Sequence, residues 1–296
     1  MKIATKDSFD GSMMSLCRIL QRHIFVNAII QVAFVLGRLE AEEIVAAEKV
    51  EPILNAYAEN DYFQKRPLMG ALELGIRMIE ADTFLVDDRL MIGYSVMDMQ
   101  SKGSLEALYL APLQKLVEDR SELVTRAGSP FYLVIDIKSE ADLTYRALRK
   151  LLSKYTSMFT KVVDGKVELG PVTVIISGNA ARAMIEEENP RYVAIDGRFS
   201  DLDSNLPTHL MPMISARWGS HFRWLGKSPI TKYEASRLKS IVERAHAGKR
   251  LIRFWSTPDV DAVWTELRNA HVDLIGAERY PVLSDFLVPR KSPFTP

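Results

Sequence analysis

The sequence contains a single cysteine, Cys17, among 296 residues. One thiol cannot form an intramolecular disulfide, so the fold cannot depend on one, and cysteine usage does not indicate a cellular compartment. Lysine and arginine total 38, and aspartate and glutamate also total 38, which gives a formal net charge of +0. This balance gives no reason to expect a nucleic-acid partner.

The sequence also lacks an apolar run long enough to span a membrane. The run at residues 24–36 falls well short of the ~20 apolar residues that a spanning helix needs. Arg18 and Arg22 precede it and small residues follow at 45–47, which is typical of a signal peptide cleaved near Ala47. We therefore expect a leader at 1–47, no membrane span in the mature chain, and a secreted or periplasmic location if the leader is cleaved. The alternative is an amphipathic helix packed on the folded domain of a cytoplasmic protein.

The length of the chain and the alternation of strand and helix candidates predict the fold class. A chain of 296 residues with 47% hydrophobic residues is usual for one (β/α)8 barrel, also called a TIM barrel. From residue 50 onward strand candidates alternate with helix candidates, which indicates a parallel sheet. We expect the barrel at 48–290 and a loose tail at 291–296. The eight or so strand candidates lie at 50–57, 76–82, 131–138, 172–177, 192–197, 210–215, 250–257 and 272–276.

Helix candidates and hairpins fill the intervals between these strands. Apolar residues recur at helical spacing at 104–118, and further helices are predicted at 67–75, 140–154, 232–247 and 259–270. The turn within 86–90 predicts a hairpin extension of the second strand. A second hairpin is predicted around Asp164 and Gly165.

Acidic residues follow two of the apolar strands. Glu80 and Asp82 are two residues apart at the end of the second strand, so both side chains point to one side. Asp136 and Lys138 are placed in the same way at the end of the next one. Because the carboxyl ends of barrel strands meet at one mouth, we expect these groups to lie together. Three carboxylates suit Mg²⁺ or Ca²⁺. A solvated rim or an ion pair with Lys138 is the alternative.

Several motifs in order resemble one family. They are NDY at 60–62, ALELG at 71–75, EAD at 80–82, LVDDRL at 85–90, FYLVIDIKSEADLTYRAL at 131–148, VTVIISGN at 172–179 and RFWSTPD at 253–259. Together these motifs resemble the bacterial branch of the PLC-like phosphodiesterases, which includes glycerophosphodiester phosphodiesterases and phosphatidylinositol-specific phospholipases C. The resemblance implies a (β/α)8 barrel that hydrolyses phosphodiesters, with a divalent metal on Glu80, Asp82 and Asp136 and with Lys138 near the phosphate.

The chain departs from this family where the family carries histidines. Relatives show a pattern like HxHNDY and a further histidine after the second strand, where this chain has Tyr57, Glu59 and Tyr94. Histidine suits acid and base work because its pKa is about 6.5, whereas that of tyrosine is about 10. Two hypotheses follow. The first is a metal-dependent hydrolase with an altered acid-base pair drawn from Glu59 and Tyr94. The second is a catalytically degenerate barrel that binds a phosphate-bearing ligand or a partner.

Four further residues are candidates for contacts with a small phosphodiester or lipid head group. Asn60 belongs to the NDY motif, and His221 lies in the SHFRW segment, which resembles the same family. Arg253 and Trp255 could line the mouth through charge and stacking. Packing between the barrel and its outer helices is the alternative for the tryptophan.

Overall fold

A computed structural model of the protein describes residues 50–95, 97–98, 102–126 and 128–288. The predicted leader at 1–47 and the predicted tail at 291–296 lie outside these residues. Within the described part of the chain no helix is both long enough and apolar enough to cross a membrane.

Eight parallel strands close into a barrel, as the sequence predicted. In chain order the strands are β1 (Ile53–Ala58), β2 (Ile76–Val86), β3 (Arg89–Ile92), β4 (Phe131–Ile137), β5 (Lys161–Val163), β6 (Lys166–Glu168), β7 (Val172–Gly178), β8 (Val193–Arg198), β9 (Met213–Arg217), β10 (Leu251–Trp255) and β11 (Leu274–Ala277). Pairing runs around the ring in the order β1, β11, β10, β9, β8, β7, β4 and β2, and β1 closes it by pairing with β2 as well. The fold is therefore a (β/α)8 barrel.

Both predicted hairpins are present. Strand β2 continues beyond the barrel and turns back through β3, with Val86 opposite Arg89. Strands β5 and β6 form the second hairpin around Asp164 and Gly165, both of which have positive φ. Aspartate and glycine accept this left-handed backbone more readily than most residues, which explains why the chain turns there.

Helices connect the strands and bury one apolar face each. The predicted helix at 232–247 matches helix α7 (Lys232–Ala247) at both ends, and its N-cap Thr231 accepts a hydrogen bond from the Glu234 N–H at 3.1 Å. The helices are α1 (Met69–Glu73), α2 (Ala111–Glu118), α3 (Glu122–Thr125), α4 (Ala141–Leu152), α5 (Arg182–Glu186), α6 (Trp218–His221), α7 (Lys232–Ala247), α8 (Asp261–Asn269) and α9 (Tyr280–Leu287).

Two helix predictions need correction. The helix expected at 67–75 is confined to α1, because Leu68 has a φ of 63° and cannot belong to a right-handed helix. The helix expected at 104–118 begins with a π-helical turn, Glu106–Leu110, before α2. Pro112, two residues after the end of this turn, lacks the N–H that a regular α-helical bond would require, which accounts for the wider turn.

One buried carboxylate fixes the loop that follows β1. Asp61 accepts hydrogen bonds from the Leu68 N–H at 2.6 Å, the Tyr109 hydroxyl at 3.0 Å and the Tyr280 hydroxyl at 2.8 Å. Burial raises the pKa of Asp61, and these three donors oppose the rise. The side chain thus ties the loop to α1, to the π-helical turn and to α9. This loop carries Asn60, directly after Glu59.

Replacing Asp61 should destabilise the barrel. The change Asp61→Ala leaves two buried tyrosine hydroxyls and a backbone N–H without an acceptor, which we expect to lower the free energy of unfolding by roughly 2–4 kcal/mol. Urea denaturation of the full chain measures this loss. Asp142→Ala, at an exposed first-turn position of α4, serves as the control and should cost no more than about 1 kcal/mol. Equal losses in the two variants would contradict the role given to Asp61.

Candidate functional site

A cavity of about 570 Å³ opens at the carboxyl ends of the barrel strands. This is the end at which barrel enzymes place their functional groups. The lining is almost entirely polar, and nearly every barrel strand contributes to it. The lining residues are Glu59, Asn60, Glu80, Asp82, Tyr94, Asp136, Ile137, Lys138, Ser177, Gly178, Asn179, Asp196, Arg198, Arg253, Trp255, Ser256, Thr257, Asp259 and Glu278.

Strand periodicity explains how the polar layer arises. One layer of the barrel interior consists of buried residues that point inward: Tyr57, Met78, Val134, Ile175, Ala194, Met213 and Leu274. Two residues further along a strand the side chain points inward again, one layer closer to the mouth. That rule places Glu59, Glu80 and Asp136 directly above Tyr57, Met78 and Val134.

Three carboxylates form a compact cluster, which we call the acidic triad. Glu80, Asp82 and Asp136 each offer an oxygen, and these oxygens lie within 4.8 Å of one another. Asp82 and Asp136 are register partners on β2 and β4, which brings their side chains together. Within the described structure Oδ1 of both aspartates is buried without a hydrogen-bond partner. Unpartnered carboxylate oxygens at this spacing fit a hard divalent cation such as Mg²⁺ or Ca²⁺.

Lys138 neutralises part of the charge of the triad. Its Nζ lies 2.8 Å from Asp136 Oδ2 and 3.2 Å from Asp82 Oδ2. The Tyr62 hydroxyl also donates to Asp82 Oδ2, at 3.0 Å. Each aspartate therefore has one oxygen bound within the protein and one oxygen free. Burial raises the pKa of Asp82 to about 6, although the Lys138 ammonium opposes the rise.

Arg253 is the second cation of the site, and it joins two of the predicted residues. Its Nη2 donates to Glu59 Oε1 at 3.2 Å and to Glu80 Oε2 at 3.3 Å. The guanidinium lies 3.7 Å above the centre of the Tyr57 ring. Burial raises the pKa of Glu80 to about 8 against the attraction of Arg253, and burial also raises the pKa of Glu59.

The structure brings most of the predicted site residues to one cavity. Tyr57 instead lies in the interior layer beneath it, fully buried, with its hydroxyl unpartnered among the described residues. His221 lies outside the lining and packs against Phe199, with ring centres 4.0 Å apart. No histidine occurs among the described residues that line the cavity. The predicted residues found in the lining are Glu59, Asn60, Glu80, Asp82, Tyr94, Asp136, Lys138, Arg253 and Trp255.

Sequence reasoning missed the polar end of β8. Asp196 is buried, accepts from the Ser177 hydroxyl at 2.8 Å and pairs with Arg198 at 2.9 Å. It stands two residues beyond the interior residue Ala194, so the rule that identified Glu80 could also have found it. Asp259, which ends the RFWSTPD motif, and Glu278 also line the cavity, although neither was named as a site residue from the sequence.

Two glycines make room for the carboxylates. A Cβ at Gly178 would lie 1.9 Å from Asp136 Oδ1, and a Cβ at Gly276 would lie 2.4 Å from Glu59 Oε1. Both distances are far below van der Waals contact, so any larger residue would displace the acid. The absence of a side chain on β7 and β11 is thus part of the geometry of the site.

The charges of the lining favour a cation. Seven carboxylates line the cavity, against three cationic side chains, Lys138, Arg198 and Arg253. Like charges in a confined site raise each other's pKa and attract a counter-ion. An anionic phosphodiester would be repelled by this lining unless a divalent cation first offset the excess of carboxylates.

Comparison with known proteins gives fungal relatives. The Altered inheritance of mitochondria protein 6 homolog of Arthroderma benhamiae is 24% identical over 252 residues, covering 75% of this chain and 80% of that protein. Altered inheritance of mitochondria protein 6 of Eremothecium gossypii is 26% identical over 274 residues, covering 79% of this chain and 70% of that protein. For the protein of that name from Saccharomyces cerevisiae YJM789 the identity is 24%, and the chain spans 61% of its length.

Solved structures that match this chain are more distant in sequence. A calcium-dependent phosphoinositol-specific phospholipase C from Pseudomonas sp. is 11% identical, with a TM-score of 0.49, covering 79% of this chain and 92% of that one. A glycerophosphodiester phosphodiesterase from Agrobacterium tumefaciens is 14% identical, with a TM-score of 0.46, covering 79% of this chain and 99% of that one.

The family assignment rests on a separate match. Residues 45–196 match the family described as the AIM6-like phosphodiesterase domain, and these residues make up just over half of the chain. The resemblance to a phosphodiesterase that the sequence motifs indicated is therefore confirmed. The protein belongs to the AIM6-like phosphodiesterase domain family.

Proposed function

We propose that this protein hydrolyses phosphodiesters with the help of a divalent cation held by Glu80, Asp82 and Asp136. The observation that carries the proposal is the acidic triad, which presents unpartnered aspartate oxygens beside an ammonium group at the mouth of the barrel. Membership in a phosphodiesterase domain family gives the class of bond. The substrate we propose is a small phosphodiester or the phosphodiester of a lipid head group.

The cation and the basic residues would divide the work of neutralising the phosphate. A bound Mg²⁺ or Ca²⁺ would offset the negative charge of the phosphate oxygens and make the phosphorus a better electrophile. Lys138 supplies a further positive charge next to Asp136, within reach of a phosphate oxygen that approaches the triad. Arg253 keeps Glu59 and Glu80 in place through one terminal nitrogen.

Glu59 is our candidate for the general base. It lines the cavity, and burial raises its pKa, which makes its carboxylate more basic than an exposed one. In the proposed step the nucleophile is a water molecule or a hydroxyl of the substrate. Its oxygen forms a bond to phosphorus and gives its proton to Glu59. The ester P–O bond breaks, and the departing alcohol oxygen takes a proton from Tyr94, an exposed residue of the cavity lining.

The second candidate function is a binding protein without turnover. It is favoured by the absence of histidine from the described cavity lining and by the ion pair that holds Glu59 on Arg253. An ion-paired carboxylate accepts a proton less readily than a free one. The acidic triad is required in both functions, so the cation site and the chemistry must be tested separately.

The first prediction concerns cation binding and pH. A raised pKa means that Glu80 and Asp82 retain protons that a cation must displace, so binding should strengthen between pH 6 and pH 8.5. At a cation concentration 100 times Kd the protein should gain about 2.7 kcal/mol of stability. Thermal melting of the full chain with Ca²⁺ or Mg²⁺ at several pH values measures this gain.

Two variants control the melting experiment. Glu80→Gln removes one triad carboxylate and should abolish most of the shift in Tm that the cation produces. Glu243→Gln, on the outer face of α7, changes charge equally and should leave the shift intact. An increase in Tm that Glu80→Gln retains, or that shrinks as the pH rises, would contradict a cation site at the triad.

The second prediction concerns turnover. Glu59→Gln keeps the size of the side chain but removes the proton acceptor, so the cation-dependent hydrolysis rate should fall by about 10²–10⁴-fold. Release of alcohol from a panel of small phosphodiesters, including glycerophosphodiesters, measures the rate. Glu243→Gln is again the control. The shift in Tm should survive in Glu59→Gln, which would separate lost chemistry from lost binding.

The binding function predicts a different pattern. The natural chain would show the cation-dependent shift in Tm but no hydrolysis, and the double change Glu59→His and Tyr94→His would create hydrolysis. Hydrolysis by the natural chain that Glu59→Gln leaves unchanged would remove Glu59 from the mechanism. A chain with neither hydrolysis nor a cation-dependent shift would refute both functions.

A further inference from the structure

A second cavity, of about 680 Å³, lies away from the barrel mouth. It runs between the β2–β3 hairpin and the helix α4, and it shares no lining residue with the mouth cavity. We call it the hairpin groove. Its volume falls within the range of small-molecule sites, roughly 300–1,000 Å³.

The groove has apolar walls. Leu143, Ala147 and Leu151 follow one another at intervals of four residues, so they form a single row along α4. Leu85 and Leu90 face them from the hairpin. Leu143 is 61% exposed, which is unusual for a leucine beside such a wall. An elongated apolar molecule would cover this row and remove it from water.

A row of cations runs beside the apolar row. Arg146 and Lys150 on α4, and Lys154 just beyond its C-terminal end, have the same four-residue spacing and line the groove. Like charges at this spacing repel each other and weaken a helix. The repulsion on Lys154 is reduced by an ion pair with Glu106, in which Nζ lies 3.1 Å from Oε1. Within the described chain the side chains of Arg146, Lys150 and Arg89 make neither an ion pair nor a hydrogen bond, and Arg146 interacts only at longer range, with the exposed Glu140 carboxylate.

The charge of the groove is opposite to that of the mouth. Four basic side chains line it against two carboxylates, Asp88 and Glu106, and one of these is already engaged by Lys154. The mouth cavity has an excess of carboxylates instead. An anion that the mouth repels would therefore be attracted to the groove.

We propose that the hairpin groove binds an anionic amphiphile, a hydrocarbon chain that carries a carboxylate or phosphate head group. The chain would lie along Leu143, Ala147 and Leu151. The head group would pair with Arg146 and Lys150, whose side chains make no ion pair in the described structure, and with Arg89 across the groove. The apolar row would bind the hydrocarbon chain, and the row of basic residues would bind the head group. A purely apolar ligand or a small anion would leave one of the two rows unused.

Competition for a fluorescent fatty acid tests the proposal on the full chain. Oleate and oleoyl lysophosphatidate, below the concentrations at which they form micelles, should displace the probe from one saturable site per chain. Uncharged monoolein should bind at least about tenfold more weakly, a difference of 1.4 kcal/mol in binding free energy. Displacement by oleate alone would identify a fatty acid as the source of the head group, and displacement by lysophosphatidate alone would identify a phospholipid.

Variants locate the binding site. The double change Arg146→Glu and Lys150→Glu should abolish saturable binding, and Ala147→Trp should block the groove by volume. Lys239→Glu on α7, another exposed helix lysine, is the matched control and should bind as the natural chain does. If the double variant fails to fold, Arg89→Glu tests the opposite wall. Absence of a saturable site, equal displacement by monoolein, or unchanged binding in a folded double variant would each overturn the proposal.

Discussion

Two cations, the buried Arg253 and the partly exposed Lys138, allow the carboxylates at the mouth of this barrel to lie close together. Lys138 lies between the charges of Asp82 and Asp136, which are register partners on neighbouring strands. Arg253 likewise binds both Glu59 and Glu80, so without it these two carboxylates would repel each other. Buried like charges either acquire a counter-ion or take up protons. The two cations neutralise part of the negative charge. The unpartnered oxygens of Asp82 and Asp136 are where the charge is not neutralised. The polarity of the whole cavity follows from this balance.

The fold could be predicted from the sequence because its strands are buried on both faces. The runs 131–135 and 174–176 are continuously apolar, and such runs identify strands in a parallel sheet. The ends of elements were less predictable. The left-handed backbone at Leu68 and the π-helical turn before Pro112 depend on surroundings that a periodic pattern does not contain.

Part of the candidate site followed from the same periodicity. Side chains two residues apart in a strand point to the same side. This periodicity predicted that Glu80 and Asp82 share one side of their strand, and that Asp136 and Lys138 share one side of theirs. The ion pair between Arg253 and Glu59 could not be predicted, because the two residues are 194 positions apart and meet only when the barrel closes. Tyr57 shows the converse. It shares its side of β1 with Glu59 but lies one layer deeper, and only the closed barrel separates interior from mouth.

The two glycines beside the carboxylates extend this constraint to related sequences. Space for the Asp136 carboxylate exists only because Gly178 has no side chain, and the same holds for Glu59 and Gly276. Steric exclusion therefore links two positions that belong to different strands. In any relative with the same backbone, a larger residue at the position of Gly178 excludes an aspartate in the Asp136 conformation. The residue aligned with Gly178 then reports, from sequence alone, whether that relative can hold all three acids together.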